Sequence, residues 1–312
     1  MKLKILVIGS INYDLVVFTS RHPAPGETII GSLFQTFPGG KGANQAVASA
    51  RLGGDVQMVG NIGQDGFGEE LLDNLRINQV DTTLIQQVNK STGTALITVN
   101  ADGQNSIVVV PGANATLGKE DIQALRKTIQ SAGVLVLQLE IPLEVVMQAI
   151  DIAYAAGVII LLNPAPAMSI PPETLKKVSY LIPNESELAL LSGLPTDDLE
   201  GCRRAAQVLL SRGCNQIILT RGDQGAFVFN QTGEFFVPSF KVPVVDTTAA
   251  GDAFIGGLAA ALAEDMDLQN ALLRASAAGA LAVTKAGAQT SLPDITELDD
   301  FLKKHKQEVK SQ

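Results

Sequence analysis

The sequence contains no tryptophan, two histidines and two cysteines in 312 residues. Each shortage excludes something. His22 and His305 cannot supply a multi-histidine metal centre, so chemistry built on a histidine base or histidine ligands is disfavoured. His305 stands beside Lys303, Lys304 and Lys306, where solvent is the expected neighbour. Cys202 and Cys214 are too few for a disulfide framework and read as ordinary buried or half-buried thiols. No stretch approaches the ~20 apolar residues of a membrane helix. The apolar run at residues 5–8 is too short for a signal peptide, which predicts a cytoplasmic protein. Basic residues are outnumbered, 23 against 32 acidic, giving a net charge of −9. That balance argues against nucleic-acid and acidic-membrane partners.

What is present is a globular composition, 46% hydrophobic and 18% charged. At this length roughly three quarters of the unfolded surface can be buried. Short apolar runs at 3–8, 56–59, 134–137, 158–162, 180–182 and 217–219 read as strands. Between them lie helical patterns: Ala43, Ala46, Val47 and Ala50, stopped by Gly53 and Gly54; Phe67, Leu71, Leu72 and Leu75; and residues 202–210. This alternation predicts an α/β fold with a mostly parallel sheet covered on both faces.

Two regions break the rhythm, about 15–37 and 94–110. Their β-rich segments, 15–19, 28–34, 95–100 and 106–110, flank Pro23-Ala24-Pro25-Gly26 and Asp102-Gly103 like hairpins. They predict a small accessory sheet that serves as a lid or a dimerisation surface. A single domain then spans 1–305 with a charged tail at 306–312, and the charged segment from Lys303 is expected to fray.

Nearly every strand-like run ends in a polar cluster. These are Gly9-Ser10-Ile11-Asn12-Tyr13-Asp14, residues 60–66, Gln138-Leu139-Glu140, Asn163-Pro164, Asn184-Glu185-Ser186-Glu187 and residues 220–225. In open α/β sheets ligands bind outside the carboxyl ends of the strands, so six clusters would line one crevice.

Four motifs admit a structural and a chemical reading. Asp252 follows Ala249, Ala250 and Gly251 at the mouth of an Ala-rich helical run. It could cap that helix. It could instead act as a base beside an anion held on the free N–H groups of the helix start. Pro38-Gly39-Gly40-Lys41-Gly42-Ala43-Asn44-Gln45 fits neither the Walker A nor the dinucleotide pattern. It is either a Gly-rich turn into a helix or a place where backbone N–H groups and Asn44 approach a polyol. Asn12 and Asp14 share a face if extended, which suits sugar hydroxyls, but Asn-x-Asp also makes turns. Asn184 and Glu187 form a capping box, or stand near Mg²⁺ and nucleotide phosphates.

Taken together, these residues resemble the ribokinase family of carbohydrate kinases over about residues 3–302. The signatures are Pro38–Gln45 and Asp246–Asp252, supported by the other clusters and by Lys285-Ala286-Gly287-Ala288-Gln289-Thr290-Ser291. The resemblance implies a three-layer fold with a β-sheet lid that joins two subunits, and ATP-dependent phosphorylation of D-ribose at its 5-hydroxyl. It implies sugar contacts from Asn12, Asp14, Gly40, Lys41, Asn44 and Glu140, with Asp252 as base. The backbone of Ala249, Ala250, Gly251 and Asp252 would form the anion hole. Nucleotide would lie across Asn184, Thr220, Gly222, Asp223, Gly225, Gly251 and Ser276, with Mg²⁺ near Glu187. A K⁺ ion would be bound by the Asp246 and Ser291 side chains and the carbonyls of Thr248, Ala282, Lys285 and Gly287. The alternative for residues 285–291 is an ordinary loop. Tyr13 is bulkier than the residue expected there; pointing into the pocket, it would select a sugar other than ribose. Competing readings are a fructose or nucleoside kinase of the same family and a non-catalytic sugar-binding regulator.

Overall fold

Ile5 and Val7 face one apolar layer and Leu6 and Ile8 the other, and all four are buried. A strand buried on both sides must be apolar at every position, which is why such strands appear in the sequence as unbroken runs. The structure, a computed structural model, describes residues 2–310, with side chains through residue 305.

The first half contains β1 (Lys4–Ile8), β2 (Asn12–Phe18), β3 (Leu33–Gly39), α1 (Lys41–Arg51), β4 (Asp55–Gly63), α2 (Gly66–Ile77), β5 (Asp81–Val88), β6 (Gly93–Val99), β7 (Asn105–Val110), α3 (Lys119–Ala124), α4 (Arg126–Ser131) and β8 (Val134–Leu137). There follow α5 (Leu143–Ala155), β9 (Ile159–Leu162), α6 (Pro172–Leu175), β10 (Tyr180–Leu181), α7 (Glu185–Ser192), α8 (Leu199–Ser211), β11 (Gln216–Thr220), β12 (Ala226–Asn230), β13 (Gly233–Val237), α9 (Ala250–Ala263), α10 (Leu268–Ala282) and α11 (Ile295–Lys310).

The main sheet runs β13-β12-β11-β10-β9-β8-β1-β4-β5. It is parallel from β11 to β5, and β12 and β13 add an antiparallel edge. Helices α1, α2, α9, α10 and α11 cover one face, and α3 to α8 the other. The result is the three-layer α/β architecture expected from the alternation. Because the central strands are parallel, their carboxyl ends share one edge, where the loops after β1, β8, β9, β10 and β11 meet.

The four strands outside this sheet form a second one, in the order β3-β2-β6-β7. Its two antiparallel pairs, β2–β3 and β6–β7, are joined by a parallel β2–β6 contact.

The structure departs from the sequence reading at several places. The expected strand at 28–34 lies mostly in the loop 19–32, where Ile30 is 93% exposed; the strand itself is Leu33–Gly39. Strands β5, β12 and β13 were not among the expected strands, although β12 contains the apolar run Ala226-Phe227-Val228-Phe229. Cys202 and Cys214 are free and buried, as expected. His305 is not solvated: its ring packs on Phe240 and Phe301. Helix α11 runs through Lys310, and positions 311–312 of the expected tail lie outside the described residues. Among the described residues no helix is long and apolar enough to cross a membrane.

Candidate active site

Asp252 lies in the first turn of α9, but the helix is capped by Ala249, without a side-chain bond. The capping reading of Asp252 is therefore overturned. Its carboxylate points across to α1: Oδ2 accepts from Asn44 Nδ2 at 2.9 Å, and Oδ1 accepts from Gln45 Nε2 at 2.9 Å. The residue is 7% exposed. Burial pushes its carboxyl above the ordinary range, against the pull of Lys41 and of the two amide donors.

Beside it the helix start is open. Among the described residues no protein acceptor takes the N–H of Gly251 or Asp252. The N–H of Ala250 is engaged, at 3.2 Å, by the carbonyl of Thr247. The expected anion hole is thus free at its Gly251 and Asp252 members and partly occupied at Ala250. A Cβ built on Gly251 would meet nothing within 4 Å, so protein packing does not demand glycine there. The space above it is left for something else.

The turn into α1 explains its glycines. Gly40 has φ 87°, and a Cβ there would lie 2.7 Å from the backbone nitrogen of Asn12. A Cβ on Gly42 would lie 2.6 Å from the Gly9 carbonyl carbon and the Ser10 nitrogen. Only glycine allows this loop to lie against residues 9–12. Closure places Lys41 and Glu140 together: Glu140 Oε2 accepts from Ser10 Oγ at 2.5 Å and from Lys41 N at 3.1 Å.

The predicted sugar residues gather here. Asn12 and Asp14 stand two apart on β2, as the extended reading required. Asn12 is buried and held by Asn114, whose Nδ2 donates to Asn12 Oδ1 at 2.7 Å. Asp14 is half-buried, and its carboxyl is pushed up to about 7 by burial and by Glu140 and Asp252, with Lys41 opposing. Lys41 is pulled down by burial but more strongly raised by Asp252, Glu140, Glu187 and Asp14, which keeps it charged. Tyr13 points away from these groups. Its ring stacks on Phe67 with centroids 4.4 Å apart, and its hydroxyl donates to Glu70 of α2. It does not narrow the pocket.

A cleft of about 310 Å³ continues from Asp252 and Gly251 past Lys41 to Asn184, Glu187, Thr220 and Gly222. The capping box at α7 is real: Asn184 Oδ1 accepts from Glu187 N at 2.8 Å, and Glu187 Oε2 accepts from Asn184 N at 2.8 Å. Glu187 also lines the cleft, so the capping box does not exclude the second reading. Asp223, Gly225 and Ser276 do not line it. Gly225 has φ 85° and serves the turn into β12, while Ser276 is buried on α10.

At the other end of the helix entry, Asp246 Oδ1 accepts from Thr248 N and Oγ1, and its Oδ2 accepts from Gly287 N at 2.9 Å. Burial would raise this carboxyl, but those bonds outweigh it and hold it below the ordinary range. Residues 285–291 are therefore tied to the Asp246 turn, with Ser291 Oγ buried and donating to Ala288 O at 2.8 Å.

Four contributors escaped sequence reading: Gln45, Asn114, Asn163 and Gln289. Asn163 Oδ1 accepts from Gln45 Nε2 at 3.2 Å, and Asn44 Oδ1 accepts from Gln289 Nε2 at 3.0 Å. Gln45, Asn163 and Gln289 lay inside motifs or clusters already singled out; the missing signal was that their partners are remote in sequence.

A buried carboxylate steadied by amides beside free helix-start N–H groups suits transfer of an anionic group to a hydroxyl. That defines a phosphotransferase-type site on a three-layer α/β fold. Residues 2–295 match the family described as "pfkB family carbohydrate kinase". A Bacillus subtilis ribokinase is 41% identical, covering 96% of this chain and 99% of that protein. A Salmonella typhi deoxyribokinase is 40% identical, covering 96% and 98%. The structure of an Arabidopsis thaliana ribokinase complexed with ribose and ATP aligns with a TM-score of 0.90 at 34% identity, covering 97% of this chain and 99% of that one. The chain belongs to the pfkB family of carbohydrate kinases.

Proposed function

We propose that this protein transfers the terminal phosphoryl group of ATP to the 5-hydroxyl of D-ribose, giving ribose 5-phosphate and ADP. The observation that carries the reading is Asp252, steadied by two amide donors beside the empty space over Gly251. Asn12, Asp14, Gly40, Lys41, Asn44 and Glu140 hold the sugar. Asp252 accepts the proton of the attacking hydroxyl, and the N–H groups around Gly251 receive charge on the transferring phosphoryl. That transition state is loose, so alignment and charge stabilisation contribute more than base strength. Nucleotide lies along the cleft by Asn184, Thr220 and Gly222, with Asp223, Gly225 and Ser276 nearby.

An all-oxygen set fits a K⁺ ion: the Asp246 and Ser291 side chains and the carbonyls of Thr248, Ala282, Lys285 and Gly287. Bound there, the ion would supply positive charge beneath the helix start. Both Glu187 oxygens already accept from Asn184, so Glu187 would meet Mg²⁺ through water, which suits an ion that keeps its hydration. Mg²⁺ would neutralise phosphate charge. The protein acts in the cytoplasm as a homodimer joined through the second sheet.

The Salmonella deoxyribokinase favours a second reading, with 2-deoxyribose as acceptor. A coupled ADP assay over ribose, 2-deoxyribose, fructose and nucleosides decides. The highest kcat/KM is expected for ribose. A clear preference for 2-deoxyribose moves the assignment to the second reading, and one for fructose or a nucleoside overturns both.

A further inference from the structure

A carboxamide can turn end over end at little steric cost, exchanging its donor and its acceptor. Asn44 turned in this way would present Oδ1 to the Asp252 carboxylate, setting two acceptors face to face. Something must fix its direction. Gln289 Nε2 donates to Asn44 Oδ1 at 3.0 Å, which forbids the turn. Gln289 is fixed in the same way by Asn74, whose Nδ2 donates to Gln289 Oε1 at 2.5 Å. Behind Asn74 stands Asn78, whose Nδ2 donates to the Asn74 main-chain oxygen at 2.7 Å and reaches its Oδ1 at 3.4 Å. Asn78 Oδ1 accepts from Arg51 Nε at 2.7 Å.

The two ends set the polarity. A guanidinium can only donate and an ionised carboxylate can only accept. Every amide between them therefore has one permitted direction. Arg51 is anchored besides, its Nη1 donating to the carbonyls of Gln289 and Leu292 at 2.9 and 2.8 Å. The arm on the other side of Asp252 lacks such an anchor. Gln138 Nε2 donates to Gln45 Oε1 at 2.6 Å, but Gln138 Oε1 is buried with no partner.

We propose that Gln289 and Asn74 are positioning residues for the phosphoryl transfer, forming with Arg51 and Asn78 a one-way amide chain that fixes the Asn44 carboxamide against Asp252. Neither touches the reacting atoms; both act through Asn44. The inference rests on the reading of Asp252 as the base.

The test is steady-state kinetics of the full chain, with ATP and the best sugar of the panel. Gln289→Glu keeps the shape but replaces the donor with an acceptor. It should lower kcat about tenfold to a hundredfold, the worth of a hydrogen bond to a charged group. KM for ATP should stay within about twofold, because Asn44 is not among the nucleotide contacts, while KM for sugar should rise as the Asn44 contact is disturbed. In an Asp252→Asn background the same change should alter kcat less than about twofold, because an amide at that place can turn to match. Asn74→Asp, one link further out and half-buried, carries the same expectations and serves if Gln289→Glu does not fold. Normal kcat in the variants, or an equal loss in both backgrounds, overturns the chain. The base reading fails separately, and takes the chain with it, if Asp252→Asn alone turns over near the wild-type rate.

Discussion

Asp252 shows how far one carboxylate depends on what surrounds it. Its candidacy was visible in the sequence because three small residues precede it at a helix entrance. Its supporters were not, since Asn44, Gln45 and Gln289 are assembled from separate ends of the chain. Asp252→Asn should reduce kcat at least about a hundredfold, the share of a positioned general base, while the variant still folds normally. Asp14 makes a prediction about pH. Its folded value of about 7 stands far above the about 3.9 of an unfolded chain. Between those values the folded protein binds the extra proton, so stability is greatest at the acid end and falls as pH rises towards 7. Asp252, raised as well, adds a fall of the same sign. Urea unfolding of the ligand-free enzyme at pH 5 and pH 8 should show the loss, and Asp14→Asn should shrink it. An undiminished loss in the variant would mean that Asp14 does not carry it.

Elements were legible where both faces of a strand are buried, as in β1, β8 and β9. They were hidden where burial is partial. In β5 the sequence Asp-Thr-Thr-Leu-Ile-Gln-Gln-Val alternates no clean apolar face, because the strand lies at the sheet edge. The hairpin β12–β13 turns through Gln231 and Thr232, without the Asn-Gly or Asp-Gly pair that marks such turns. Helix α9 offers a sharper test at this scale. Glycine is a poor helix residue, about 1 kcal/mol worse than alanine. Nothing in the protein occupies the place of a Cβ on Gly251. Gly251→Ala should therefore keep or slightly raise the melting temperature. It should nonetheless cut kcat/KM for ATP by at least about tenfold, because the methyl would enter the space proposed for phosphate. A variant equally stable and equally active would show that the space over Gly251 is not used.

At the scale of the molecule, the second sheet carries the largest group of exposed apolar side chains among the described residues. Leu33, Phe34, Leu96, Ile107, Val108, Val109 and Val110 are each more than 40% exposed. Strand β7 is exposed at every position and lies at the sheet edge. A flat apolar edge invites pairing with another chain. Sedimentation should give a dimer at micromolar concentration, and Val108→Lys should give monomers. A monomeric wild type would remove the subunit contact from the proposal.

Strand β2 belongs to that sheet and also carries Asn12 and Asp14. Between them, Tyr13 is clamped against Phe67 and Glu70 on α2, a helix of the main body. The strand is therefore a lever with its fulcrum at Tyr13, between the two residues proposed to hold the sugar. Displacement of the far arm, at Val17 and Phe18, is geared down near the pivot. The proposed subunit contact on the second sheet and the proposed grip on the sugar would then be two loads on one beam.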